Sequence, residues 1–199
     1  MTLIRDPLTQ RGARVDNDGR LRTQSIQESL EAAASREGEA FTLATDQGSN
    51  RIITFADGDD GPILYVRNNS STKVMVVDGF TATESGAGLV LYLVKNPILG
   101  VLADNEEITP SNRNFSSTNE AEVEGHVWDE VGTTGISGLT GGEEIASFIK
   151  SVPAGTLDLK NAVRLGRLDS AYLAYANGTG GPIAASIALR FHMEGLEVF

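Results

Sequence analysis

The sequence contains no cysteine and only two histidines, His126 and His192, among 199 residues. The first absence excludes a disulfide framework, every thiolate metal site and every cysteine nucleophile. The scarcity of histidine leaves little for imidazole ligation, and no metal or cofactor is expected. Aromatic residues are also few, with one tryptophan and four tyrosines, which is sparse for the stacking platforms of a sugar-binding module. Proline is scarce against glycine, 6 to 22, so tight turns are expected rather than a low-complexity disordered chain. No apolar run approaches the length of a membrane span, and the opening MTLIRDPLTQRGAR lacks the apolar segment of a signal peptide. A soluble protein that does not use the usual export route is the expectation, with no membrane partner.

Positive charge is the other shortage. Lysine and arginine number 16 against 27 acidic residues, a formal net charge of −11. Such a balance opposes binding to a phosphate backbone, where affinity comes from clustered Lys and Arg, so no nucleic-acid partner is expected. The charge is unevenly placed. Residues 1–22 hold Arg5, Arg11, Arg14, Arg20 and Arg22 against three aspartates, a balance of +2 that leaves −13 for the remainder. This segment shows almost no apolar periodicity and reads as an arm unable to order itself alone. Ser25-Ile26-Gln27-Glu28 has the form of a capping box, and a short helix from about residue 26 to 36 competes with an extended strap anchored by Ile26 and Leu30.

The rest of the chain is organised around residues 62–97, where three strand-like apolar runs alternate with polar turn signals. In ILYV, VMVV and LVLYLV both alternating faces are apolar, so each strand must be covered twice, by a second sheet, a helix or another subunit. β-Branched residues suit that pleated setting. From Phe41 onward short strands recur between turns such as DQGSN, ADGDDG, ESGAG and NGTGGP, the rhythm of an all-β sandwich or barrel. Residues 104–119 form a long polar loop without strand pattern, and residues 143–150 fall in the strand-like run EIASFIKSV but also offer one or two helical turns on Ile145, Phe148 and Ile149. The division expected is an arm over residues 1–40 and a sandwich over residues 41–199.

Candidate chemistry is thin. Asp57, Asp59 and Asp60 suggest a calcium loop, but counting from Asp57 puts Gly61 at the fifth position and Asn68 at the twelfth, where a bidentate glutamate belongs. A solvated hairpin turn fits better. His192-Met193-Glu194 has the spacing of a zinc deaminase motif, which also requires two cysteines. His126 and Trp128 share a strand face from which Asp129 points away, so His126 reads as a sheet-surface residue. Neither a nucleophile elbow nor a phosphate-binding glycine loop occurs, and the chain is not expected to be an enzyme.

Four phrases occur in a telling order: VDNDGRLRTQSIQESLEAAASREGEAF, GPILYVRNNSSTKVMVVDGF, ITPSNRNFSSTNEAEVEGHVWDEVG and SAYLAYANGTGGPIAASIALRFHMEG. Together they resemble a family of tailed-bacteriophage virion proteins that decorate or cement the capsid. The resemblance implies an antiparallel jelly-roll β-sandwich with an extended N-terminal arm, bound as a homotrimer to the major capsid protein on the virion surface after assembly in the host cytoplasm. It also allows a head-fibre or tail-associated protein that binds a receptor or glycan. On this reading Arg5, Arg11, Arg14, Arg20, Arg22, Ile26 and Leu30 are the capsid-binding residues of the arm.

Overall fold

The computed structural model describes residues 3–5, 12–15, 21–22, 30–45, 53–58, 60–84, 89–103, 105–128, 136–149, 154–178 and 181–195. The described chain divides into two compact units, residues 1–30 and residues 31–199. The first unit contains three short strands, β1 (Leu3–Arg5), β2 (Gly12–Val15) and β3 (Leu21–Arg22), joined as an antiparallel meander. Paired strands thus stand where the sequence shows no strand rhythm. Two to four residues per strand are too few to carry a recognisable period.

The boundary between the units falls at the first residue of α1 (Leu30–Glu37), the one helix among the described residues. The first residues of the helix expected from the sequence, 26–29, and the proposed cap at Ser25 lie outside the described residues. Strands follow in the order β4 (Ala40–Ala44), β5 (Ile53–Phe55), β6 (Asp60–Asn68), β7 (Lys73–Glu84), β8 (Leu89–Lys95), β9 (Ile98–Ala103), β10 (Asn105–Ile108), β11 (Ser111–Asn112) and β12 (Val123–Trp128). The chain closes with β13 (Ser137–Thr140), β14 (Glu143–Ile149), β15 (Ala154–Leu165), β16 (Ser170–Asn177) and β17 (Ile183–Gly195).

One expectation is corrected here, since the segment read as a patternless loop over residues 104–119 contains β10 and β11. Of the two readings of the run EIASFIKSV, strand and helical turns, the structure takes the strand, β14. Ile145, Phe148 and Ile149 fit a helical spacing, but pairing with β8 along Glu143↔Lys95 to Ile149↔Val90 overrides so short a local preference.

The strands form two large antiparallel sheets. One has the order β10-β12-β6-β16-β8-β14 and the other β11-β4-β17-β7-β15, with β5 added to β17. Eight of them pair as a rolled-up hairpin: β4 with β17, β6 with β16, β7 with β15 and β8 with β14. First meets last, second meets seventh, third meets sixth and fourth meets fifth, which is the jelly-roll connectivity. The fold is therefore an all-β sandwich of the expected kind.

One core joins both sheets. Phe41, Leu43, Val77, Phe80, Leu189 and Phe191 of one sheet cluster with Leu64, Val66, Leu91, Leu93, Leu173 and Tyr175 of the other. Phe41 and Phe191, both buried, stack with ring centroids 5.6 Å apart. Gly125 on β12 faces Leu43 so closely that an added Cβ would lie 2.6 Å from Leu43 Cδ2 and 2.9 Å from the Ile108 carbonyl oxygen. A side chain there would hold the sheets apart.

The expectation of two-sided cover is met on β6, where Ile63, Leu64, Tyr65 and Val66 are all buried. Leu64 and Val66 belong to the inter-sheet core. Ile63 packs in the same cluster as Ile136, whose N–H donates to the Pro62 carbonyl at 2.7 Å. On β8 the cover is less complete, with Leu91 and Leu93 buried and Val90 and Tyr92 only half-buried.

Candidate functional site

The arginines singled out from the sequence divide into two groups. Arg11 and Arg20 lie outside the described residues, as does Ile26, while Leu30 opens α1. Arg5, Arg14 and Arg22 stand on β1, β2 and β3. The register pairs Leu3 with Arg14, Arg5 with Gly12, and Arg14 with Arg22. Directly paired residues, and residues two apart along a strand, occupy one face of a sheet. Arg5, Arg14 and Arg22 therefore share a face of the small meander, and Ile4, Ala13, Val15 and Leu21 occupy the opposite one. Arg14 and Arg22 are direct cross-strand partners.

On the second unit, residues 111–119 form a polar scaffold rather than a slack connection. Asn112 and Asn119 donate side-chain N–H groups to the Gly38 and Glu37 carbonyls at 2.8 and 3.4 Å, and Asn114 donates to the Arg36 carbonyl at 3.1 Å. Carbonyls at the end of a helix have no intrahelical donor, and the asparagines supply one from a segment more than 70 residues away. The scaffold is also internally bonded. Asn112 Oδ1 accepts from the Asn114 N–H at 2.8 Å, and Asn114 Oδ1 from the Ser116 N–H at 3.0 Å. Phe115 stands on this loop fully exposed. Nothing in the local sequence marks it, because a lone phenylalanine in a polar stretch predicts an anchor into a core as readily as a protruding ring.

Beneath that loop lies a charged cluster. His192 on β17 is buried, with Nδ1 2.6 Å from Asp78 Oδ1 and Nε2 3.0 Å from Glu194 Oε1. Asp78 is buried too, and its second oxygen has Arg113 Nη1 3.9 Å away. Glu194 in turn accepts from Arg164 on β15. Burial disfavours the imidazolium, but hydrogen bonds to Asp78 and Glu194 and their negative charge outweigh it, so the His192 pKa is raised. Burial likewise disfavours the Glu194 carboxylate, and its bonds to His192 and Arg164 overcome that and lower its pKa. The cluster ties β7, β15 and β17 to the loop bearing Arg113. Asp78 Oδ2 is buried without a hydrogen-bond partner, while the His192 ring and Glu194 are engaged within the fold, so the cluster acts as a buried staple.

His126, expected at the sheet surface, has a half-buried ring 2.7 Å from Asn105 Oδ1 and 3.0 Å from Glu124 Oε1. Asp57 and Gly58 form a turn before β6, with Gly58 at φ 82°, and Asp59 lies outside the described residues. No group of three or more His, Asp or Glu side chains placed to hold a metal ion occurs among the described residues. No helix among them is long and apolar enough to cross a membrane.

No protein-family model matches the chain, and no curated protein is similar to it. Among solved structures, a chain from the structure of infectious bursal disease virus Gx strain is similar at 15% identity, covering 78% of this chain and 40% of that one, with a TM-score of 0.20. This chain thus spans less than half the length of that protein. So low a TM-score does not establish a shared fold, and the jelly-roll assignment stands on the strand pairings alone.

Proposed function

We propose that this chain is a non-enzymatic structural protein of a bacteriophage virion, bound to the outer surface of the capsid where it decorates and cements the lattice of the major capsid protein. The sequence phrases that resemble the decoration family motivate the reading. The observation that carries it is the register of the N-terminal meander, which gathers Arg5, Arg14 and Arg22 on one face of a unit distinct from the acidic body. Guanidinium groups bind carboxylates through paired hydrogen bonds. An acidic surface placed against that face would pair with these guanidinium groups, so docking and the meander stabilise each other.

The jelly-roll body then serves as the mass presented above the shell, and self-association into trimers multiplies the number of tethers per particle. A second reading, in which the protein is a head-fibre or tail-associated receptor- or glycan-binding component, draws support from one feature. Phe115 is a fully exposed aromatic ring on a hydrogen-bonded loop, the kind of rigid surface anchor that recognition sites favour.

The two readings separate on location and copy number. Purified full-length protein is added to particles that lack it, and the particles are reconstructed by cryo-electron microscopy. Hundreds of copies in register with the capsid lattice are expected. A few copies confined to the tail or to sparse fibres would overturn the decoration reading and favour the second.

A further inference from the structure

At the junction of α1 and β4 the fold brings together a lysine, a carboxylate and a carboxamide. Lys73, the first residue of β7, holds its Nζ 2.8 Å from both carboxylate oxygens of Glu39. Asn119 Nδ2 donates to one of those same oxygens, Glu39 Oε1, at 3.2 Å, and to the Glu37 carbonyl at 3.4 Å. One oxygen therefore touches two nitrogens, that of an amine and that of a primary amide. With both Nδ2 hydrogens engaged, the carboxamide is turned with its nitrogen toward Glu39.

Each of the three residues is also fixed through its backbone. The Glu39 N–H donates to the Ala34 carbonyl at 2.7 Å, and the Glu39 carbonyl accepts from the Met193 N–H at 2.8 Å. The Lys73 N–H donates to Ser70 Oγ at 3.2 Å, and its carbonyl accepts from Asn68 Nδ2 at 2.9 Å. The Asn119 N–H donates to Ser117 Oγ at 3.1 Å, and its carbonyl accepts from Asn112 Nδ2 at 2.9 Å. Gly38 lets the loop come this close. It has φ 76°, and an added Cβ would lie 2.1 Å from Ser117 Oγ and 3.4 Å from Asn119 Nδ2. Groups held together in this way react as parts of one molecule rather than as solutes that must meet.

We propose that Lys73 and Asn119 become joined by an intramolecular isopeptide bond, with Glu39 as the proton carrier. Glu39 takes a proton from the Lys73 ammonium group, and the neutral amine attacks Asn119 Cγ. The Nζ–Cγ bond forms and the Cγ–Nδ2 bond breaks, while Glu39 relays two protons in turn from Nζ to Nδ2. The amide nitrogen leaves as ammonium, which carries the positive charge that Lys73 has lost, and Glu39 ends as the carboxylate it was at the start. Redox state does not change, so the step needs no further reactant. It has to occur only once per chain, and escape of the ammonium ion opposes its reversal. In a chain without cysteine, such a bond supplies the covalent tie that a disulfide gives elsewhere, restricting the unfolded chain between residues 73 and 119. The proposal concerns one chain by itself and is independent of the capsid reading.

The test is the intact mass of the purified full-length protein, beside Lys73→Arg, which keeps a cation next to Glu39 but lacks the attacking amine, and Glu39→Gln, which cannot take up the proton. The native chain is expected to be lighter than its sequence mass by one ammonia. Proteolytic digestion is expected to yield a branched peptide linking the segments that contain Lys73 and Asn119. Both variants are expected at their full sequence masses. Cyclisation at the Asn177-Gly178 pair would also expel ammonia, but that loss would persist in Lys73→Arg and would link no peptides. A native chain that keeps its full mass after prolonged incubation, a loss retained in Lys73→Arg, or a digest without the branched peptide would each overturn the proposal. The native mass and the digest decide the question whether or not either variant folds.

Discussion

The N-terminal meander and the jelly-roll body are both built from antiparallel ladders, yet they differ in everything that backs those ladders. Strands of the meander run two to four residues, whereas β7, β15 and β17 run 12, 12 and 13. Body strands bury alternating side chains in a core that spans two sheets. The meander carries a positive balance and a like-charged cross-strand pair, and the remainder of the chain is strongly acidic. Backbone hydrogen bonds contribute only about 0.5–1.5 kcal/mol each after exchange with water, so the stability of the body rests chiefly on the side chains it buries.

The largest expected effects fall on the body alone. Phe191→Ala removes a buried ring stacked on Phe41 and is expected to cost about 3–5 kcal/mol. That corresponds to a fall in melting temperature of roughly ten degrees or more for a chain of this size. Breaking a buried charge pair costs about as much, so His192→Ala, which leaves Asp78 buried beside a cavity, is expected to melt at a similarly reduced temperature. A change of only a degree or two in either protein would mean that the sandwich does not hold the chain's stability.

An intermediate effect is expected at Gly125, where an added methyl group meets Leu43 and the Ile108 carbonyl. Overpacking of this sort costs about 1–3 kcal/mol, and Gly125→Ala should show it in a denaturant titration as a lower midpoint at unchanged slope.

The buried cluster adds a pH dependence confined to the body. His192 binds its proton more tightly when folded, so its contribution is complete below the unfolded histidine value of about 6.5 and is lost as pH rises through the raised folded value. Glu194 has the opposite sign. Its contribution is present above the unfolded value of about 4.3 and is lost as pH falls through the lowered folded value. Maximum stability is expected between about pH 4.5 and 6.5. His192→Gln should remove the decline on the alkaline side, and an equal decline in that variant would assign the effect to another group.

How much of this was legible in the chain follows from the range of the interactions. Short apolar runs between turn signals marked β4, β6, β7, β8, β16 and β17, because each run and its flanking turns are local in the sequence. Jelly-roll pairing was not readable from residues alone, since β4 and β17 meet from opposite ends of the body, and it was implied only by the resemblance. The asparagine scaffold and the Asp78–His192 pair span 74 to 82 and 114 residues, so no local pattern announces them. Strand β9 shows the converse. ILGVLA reads as core from its composition, and the structure turns most of it to solvent. The shared face of Arg5, Arg14 and Arg22 depended on register, which a count of arginines cannot supply.

The smallest effect on stability is expected from removing the meander, and that removal is also the most direct test of the central claim. Deleting residues 1–22, or making the triple change Arg5→Glu, Arg14→Glu and Arg22→Glu in the full-length chain, should leave the melting temperature within a few degrees of the native value. Cosedimentation with particles that lack the protein should then fail for both variants, while native binding weakens with salt as exposed ion pairs are screened. A melting temperature lowered by ten degrees or more with particle binding retained would contradict the account and make the N-terminal unit part of the fold.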